Sequence, residues 1–285
     1  MQFKDKLFIN IGGTSRSGST LLSKILANDD KALNLGEIRS VFFPTRIHHK
    51  VEIEKIINSK GVWSDIIKEK MGKLPKNIFD SFPDVYFLVD SSKNPFWIKK
   101  INANSKDQSI KSKNILIYKD PEDFAYSILK RGQKNWEKQY VDYHKKYFSS
   151  IKDFYIISYT SLVKNKKTLH NLCDWLGIED FEGKYDYWKD EKHSGFFGSN
   201  TPKDKRNVEY NKAIPVEFIS SINTIIDGSK ELKEIWSFLK ENENKVVHNV
   251  STLNYSKARL FFLKKKNELN LIYRNFNPEN YFKKQ

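Results

Sequence analysis

Between Gly13 and Thr20 the chain reads G-T-S-R-S-G-S-T, two glycines five positions apart among hydroxyl side chains, with one arginine, Arg16. An apolar run, KLFINIGG, leads in and an amphipathic one, STLLSKIL, leads out. A strand that feeds a glycine-rich turn and then a helix aims several backbone N–H groups and the positive end of the helix dipole at one point. That geometry suits a phosphate or a sulfate. An ordinary strand-to-helix turn is the plainer alternative. Loops that hold nucleoside triphosphates read G-x-x-x-x-G-K-[ST], with the lysine on the β and γ phosphates. Here Ser19 occupies the lysine position and Thr20 the final hydroxyl, and the cation has moved to Arg16. A guanidinium offers a rigid fork of donors and keeps its charge, so Gly13, Thr14, Ser15, Arg16, Ser17, Gly18, Ser19 and Thr20 fit a phosphosulfate better than a magnesium-bound triphosphate.

At TSRSGSTLL (14 to 22) the sequence resembles the sulfotransferases that use 3'-phosphoadenosine 5'-phosphosulfate (PAPS), in particular the bacterial and protein-tyrosine-like branch whose loop reads P-R-S-G-T-T-L-L. Ser15 stands in place of the proline and Ser19 in place of a threonine. Further segments match in order. YKDPEDFAYSILKR (118 to 131) resembles the family's R-D-P-R-x-x-x-x-S-x-x-x-R, which implies that Lys119 and Ser127 clasp the 3'-phosphate. Lysine supplies a point charge where arginine would supply a bidentate clamp, and Arg131, one helical turn beyond Ser127, offers a second cation. ISYTSLVKNKKTLHNLCDWLGI (157 to 178) is similar to the strand and helix that bring a tyrosine to the adenine, which implies that role for Tyr159. KHSGFFGSNTPKDKR (192 to 206) is similar to a loop that closes over the nucleotide, with Ser199 and Asn200 as the implied contacts. Taken without the family, Lys119 and Asp120 are a solvated charge pair at a strand end, or the magnesium-holding aspartate strand of an ATPase.

Sulfuryl transfer asks for a base to take the acceptor proton, in-line placement, and cations on the transferred group and the leaving phosphate. NLGEIRS (34 to 40) supplies Glu37 and Arg39 just after the first helix, and the spacing from Arg16 to Glu37 reproduces that of the family's catalytic glutamate. The resemblance implies Glu37 as general base; a turn cap or a surface pair with Arg39 is the structural alternative. VDSSKNPF (89 to 96) resembles the family's catalytic strand end, with Lys93 at the key position. Lysine is a poor base at neutral pH and a good stabiliser of developing negative charge, so Lys93 and Arg16 are the electrostatic catalysts. Ser92 either hydrogen-bonds the bridging oxygen or caps the next helix. His48 and His49 are alternative bases, adjacent in sequence and expected to be exposed and incidental.

These residues need a scaffold that delivers them to one place. Apolar runs at 6 to 13, 85 to 90, 114 to 120 and 154 to 159 alternate with helical patterns, which predicts an α/β fold with a central parallel sheet covered by helices on both sides. The resemblance makes it a three-layer P-loop sandwich. Helices are expected over Ser19 to Ala27, Pro121 to Arg131 and, as one long element, Thr160 to Leu176, where Gly177 terminates the pattern. Residues 39 to 84 read as a helical insertion, either an acceptor pocket or a plain helical layer; 183 to 213 reads as loop; helical patterns resume at 215 to 242 and 254 to 275. The expected organisation is a sulfotransferase-like domain over 1 to 250 and a basic helical segment over 251 to 285.

At 285 residues, 39% hydrophobic and 14% aromatic, the chain has ample material for a core, and a net charge of +15 implies a field that attracts anions. Its single cysteine, Cys173, allows no intrachain disulfide or cysteine zinc cluster. No window approaches the roughly 20 apolar residues of a membrane span and the N-terminal apolar stretch is short, so a cytoplasmic protein is expected. The expected donor is PAPS, without a metal, and the expected partner is a small-molecule or glycan hydroxyl acceptor rather than nucleic acid. The basic, aromatic-rich C-terminal segment leaves open a solvated helix, a membrane-surface contact and a nucleic-acid contact. Two rival functions stand beside this one: a kinase using Mg-ATP with Asp90 or Asp120 on the metal, and a non-catalytic basic binding protein on the same fold.

Overall fold

Alternate residues of the first strand go to different cores. In β1 (Leu7–Gly12), Leu7, Ile9 and Ile11 enter one cluster while Phe8 enters another, so this strand is covered on both faces, as its unbroken apolar run predicts. The structure, a computed structural model, describes residues 5–69, 71–187, 195–198 and 213–250. After β1 come α1 (Ser19–Leu26), β2 (Ala32–Gly36), α2 (Arg39–Phe42), α3 (Ile47–Asn58), α4 (Val62–Lys68), a 3-10 turn at Met71–Lys73 and α5 (Leu74–Ser81). Then follow β3 (Phe87–Lys93), α6 (Pro95–Asp107), β4 (Lys111–Tyr118), α7 (Pro121–Leu129), α8 (Trp136–Ser150), β5 (Asp153–Ser158), α9 (Tyr159–Lys164) and α10 (Lys166–Leu176). The last elements are α11 (Val216–Gly228), α12 (Lys230–Glu241) and β6 (Val246–His248).

The six strands form one sheet in the order β2-β3-β1-β4-β5-β6. The α/β fold with a central parallel sheet is present as expected: all strands pair in parallel except the short β6, which runs antiparallel to β5 at the edge. From β1 the chain crosses outward to β2, beyond β3, and later fills the other side with β4 and β5. The strand order therefore reverses at β1, and the crevice beyond the C-terminal ends of β1, β3 and β4 is where open α/β sheets bind ligands.

One face of the sheet packs against α1 and α10 through Leu22, Ile25, Leu169 and Leu172. On the other face, α7, α8, α11 and α12 cover β4 and β5, and α3 to α6 cover β1 to β3. Between these two clusters a polar bridge crosses the layer, where Asn10 Nδ2 donates to Asn102 Oδ1 at 3.0 Å and to Asn114 Oδ1 at 3.2 Å. The expected single helix over Thr160 to Leu176 is two helices. Asn165 adopts an extended conformation and its side chain accepts the Lys167 N–H, capping α10 and ending α9. The 215 to 242 pattern likewise divides at Ser229, whose hydroxyl caps α12. Ser199, Asn200 and the C-terminal segment 251 to 285 lie outside the described residues.

Candidate functional site

The loop leaves β1 buried and turns outward. Thr14 and Ser17 are buried, Ser15 and Arg16 are exposed, and Ser17 N–H closes the turn on the Thr14 carbonyl at 3.2 Å. Gly18 sits at φ +98° as the N-cap of α1, and a Cβ built there would lie 2.3 Å from the ring of Tyr159. Glycine is required here both for the left-handed backbone and for the approach of that ring. The first helical bond runs from Leu22 N–H to the Gly18 carbonyl, so α1 itself makes no use of the N–H groups of Ser19, Thr20 and Leu21. The buried hydroxyls Thr14 Oγ1 and Ser17 Oγ have no hydrogen-bond partner among the described residues. Uncommitted donors of this kind around an uncapped helix start fit an oxyanion.

Glu37 and Lys93, separated by 56 positions in the chain, meet as an ion pair, with Lys93 Nζ 2.5 Å from Glu37 Oε1. Both are about one-fifth to one-quarter exposed at the side chain. Lys93 has φ +63°, strained for a non-glycine residue, and its ammonium also donates to the Ser91 carbonyl. Glu37 is fixed from behind, because its N–H donates to the Phe196 carbonyl at 2.6 Å and Phe196 N–H returns a bond to Leu35. Gly36 permits this: at φ +58° a Cβ would lie 2.3 Å from the Phe196 oxygen. His49 is buried rather than exposed, with its ring 4.2 Å from that of Phe197. Burial, then His48 and Arg46, hold it below the usual histidine value, against a raising effect of Glu37.

Tyr143 of α8 ties the loop to the end of β3. Its hydroxyl accepts the Gly13 N–H at 2.6 Å and donates to the Lys93 carbonyl at 2.7 Å. Beneath them Asp90 is fully buried; its Oδ1 accepts Ser92 N–H and the Ser92 hydroxyl, and its Oδ2 accepts the Trp97 indole N–H at 2.6 Å. Burial pushes the Asp90 carboxyl up to about 6, and the bonds from Ser92 and Trp97 only partly oppose it. Ser92 is not the cap of α6: Asn94 takes that place, accepting Phe96 and Trp97 N–H, while Ser92 Oγ accepts Arg39 N–H at 3.0 Å. A cavity of about 510 Å³ opens above, with Gly13 to Ser15 on one side, Ser92 to Pro95 on another and one face of α8 on a third. Among the described residues of the 39 to 84 insertion, only Arg39 lines it.

On the other flank of the loop a second group of cations gathers. Lys119 Nζ stands 4.3 Å over the ring of Tyr159, a cation–π contact. Burial lowers the Lys119 ammonium from its usual value, opposed by Asp123 and reinforced by the charges of Arg16, Lys130 and Arg131. Burial and then Arg131 act on Arg16 in the same direction. Arg131 donates to the Ser127 carbonyl at 2.8 Å, while the Ser127 hydroxyl turns back to the Phe124 carbonyl at 2.7 Å. The structure thus brings Arg16, Lys119, Tyr159 and Arg131 together around the loop and sets Ser127 beside them with its proton directed into α7.

Tyr143, Trp97 and the lining face of α8 are parts of the candidate site that the sequence reading did not single out. The available signal was the helical spacing of Trp136, Tyr140, Val141, His144, Tyr147 and Phe148, which marks the buried side of α8 and, by exclusion, the side that faces the cavity. Among the described residues no helix is long and apolar enough to cross a membrane.

No protein-family model matches the chain, and no curated protein matches it. Among solved structures it is similar to the sulfotransferase domain from the Synechococcus PCC 7002 olefin synthase, at 16% identity over 78% of this chain and 94% of that one, with a TM-score of 0.49. It is also similar to the sulfotransferase domain from the curacin biosynthetic pathway, at 16% identity over 83% and 98% of the two chains, with a TM-score of 0.48.

Proposed function

We propose that this chain is a sulfotransferase that moves a sulfuryl group from PAPS to an acceptor hydroxyl. What carries the reading is the meeting, at the C-terminal ends of β1, β3 and β4, of a lysine-free anion loop, a carboxylate–lysine pair and a separate cluster of cations. The loop N–H groups and Arg16 suit the phosphosulfate, and Lys119 with Arg131 suits a second phosphate, the 3'-phosphate that ATP lacks. Glu37, paired with Lys93, takes the acceptor proton; the acceptor oxygen forms a bond to sulfur as the bond from sulfur to the phosphate oxygen breaks. Adenosine 3',5'-bisphosphate leaves with that electron pair, its charge met by Lys93 and Arg16. The carboxylates that the kinase alternative needs are engaged elsewhere, Asp90 with Ser92 and Trp97 and Asp120 Oδ1 with the Trp236 indole N–H at 2.9 Å.

The test is thermal stability with adenosine 3',5'-bisphosphate, with Mg-ATP and with neither, at matched ionic strength. A ligand at about 100 times its Kd stabilises the folded state by about 2.7 kcal/mol. Selective stabilisation by the bisphosphate, lost in Lys119→Ala, is expected. Selective stabilisation by Mg-ATP would reject the reading in favour of the kinase. Salt-sensitive polyanion binding that survives both Arg16→Ala and Lys119→Ala would favour the non-catalytic binder.

A further inference from the structure

Four residues of α8, Gln139, Asp142, Tyr143 and Lys146, follow the i, i+3, i+4, i+7 spacing of one helix face, and all four line the cavity beside Lys93. Lys146 is the member whose charge is not explained by the fold. Among the described residues it has no carboxylate within ion-pair distance, and its ammonium stands instead 5.3 Å over the ring of Phe96, reaching across toward the first turn of α6. The nearest carboxylate in the wall, Asp142, is 2.7 Å from Lys138, one helical turn away. From the opposite wall Arg39, which also stands 5.2 Å over the Phe43 ring, adds a positive charge to the same cavity, besides that of Lys93, which Glu37 pairs. Burial lowers the Lys146 ammonium, Asp142 works against this, and Arg39 reinforces it.

Two cations facing one partly desolvated cavity repel each other, and an oxyanion between them relieves both the repulsion and the lost hydration. A volume of about 510 Å³ admits a small molecule rather than a single ion. We propose that the cavity is the acceptor subsite and that it selects a hydroxyl compound carrying an oxyanion group, a carboxylate or a phosphate, bound by Lys146 with Arg39 while the hydroxyl lies toward Glu37 and Lys93. This rests on the sulfotransferase reading only for calling the ligand an acceptor; the oxyanion preference stands on the cavity itself. Tyr143 and the neutral Gln139 and Asn94 supply further polar contacts along the same walls.

The experiment uses the full chain and matched compounds that differ only in charge: 4-hydroxyphenylacetate against 4-hydroxyphenylacetamide, and gluconate against gluconamide. Binding is measured by calorimetry at fixed ionic strength, with and without adenosine 3',5'-bisphosphate. At least one carboxylate is expected to bind about tenfold more tightly than its amide, the size of one charge-assisted hydrogen bond. Lys146→Gln is expected to bring that ratio to about one, and Lys146→Arg to retain it, with bisphosphate affinity within about twofold of the parent in both. Equal affinities in every pair, whether both members bind or neither does, overturn the proposal. So does a preference that survives Lys146→Gln, or a loss of bisphosphate affinity in that variant, which would assign Lys146 to the donor. A preference that persists where the bisphosphate does not bind at all would reject the sulfotransferase reading and leave the oxyanion subsite standing.

Discussion

Replacing Asp90 with asparagine tests whether the floor of the site carries the electrostatic load that its geometry implies. The carboxyl is buried and its value rises from the ordinary 3.8 to about 6, which corresponds to about 3 kcal/mol. The sign follows from proton counting. Between about pH 4 and pH 6 the native state retains a proton that the unfolded chain has already released, so stability falls as pH rises through this window, and the loss is complete above it. Asp90→Asn has no such titration. The stability of the parent minus that of the variant is therefore expected to fall by about 2 kcal/mol from pH 4 to pH 7, the remainder lying below pH 4.

A second consequence of the substitution is independent of pH. The amide can offer its oxygen to Ser92 only by turning its NH₂ toward the Trp97 indole N–H, which lies 2.6 Å from the present carboxylate oxygen. Two opposed donors cost about 1–3 kcal/mol, and Trp97→Phe in the same background removes the conflict. Urea titrations at fixed ionic strength across pH 4 to 7, analysed with a common m-value, separate the two effects. A difference curve that is flat with pH would refute the reasoning. One that rises with pH would mean that the three donors outweigh burial and hold the carboxyl below its ordinary range.

Glu37→Gln is expected to lower kcat by about 100-fold or more, the contribution of a positioned base, while leaving the Kd of adenosine 3',5'-bisphosphate within about twofold; turnover within about threefold of the parent would remove Glu37 from that role. Gly18→Ala places a methyl group 2.3 Å from the Tyr159 ring at φ +98°, so a loss of about 1–3 kcal/mol in urea unfolding is expected together with weaker bisphosphate binding by calorimetry. Tyr143→Phe leaves both the Gly13 N–H and the Lys93 carbonyl without their shared hydroxyl, and an increase of at least about fivefold in bisphosphate Kd is expected, with faster amide hydrogen exchange at Gly13.

Much of the loop side of the candidate site was legible in the chain because its geometry is local. Gly13 to Thr20 form their turn within eight positions, Gly18 takes the left-handed backbone at the helix start, and Pro95 and Pro121 each open a helix where a missing N–H does no harm. Four of the six strands announced themselves as apolar runs, since two covered faces demand continuous hydrophobicity. The other two did not. Ala32–Gly36 is short and carries Asn34, and Val246–His248 spans three residues; each is a strand because a neighbouring strand supplies its hydrogen bonds.

The sequence by itself determined the glycine-rich turn between strand and helix, the strand ends that carry Lys93 and Lys119, and the candidate carboxylate Glu37, because residue type and short spacing set those features. Only the tertiary structure decided that Glu37 and Lys93 share one ion pair across 56 positions, and that Tyr143 joins Gly13 to Lys93 across 130 and 50. It alone turned Gln139, Asp142 and Lys146 into the wall of a cavity and buried Asp90 deeply enough to shift its proton. Local backbone preference reaches only a few residues along the chain, whereas desolvation, charge pairing and cavity shape depend on which distant segments the sheet order brings together.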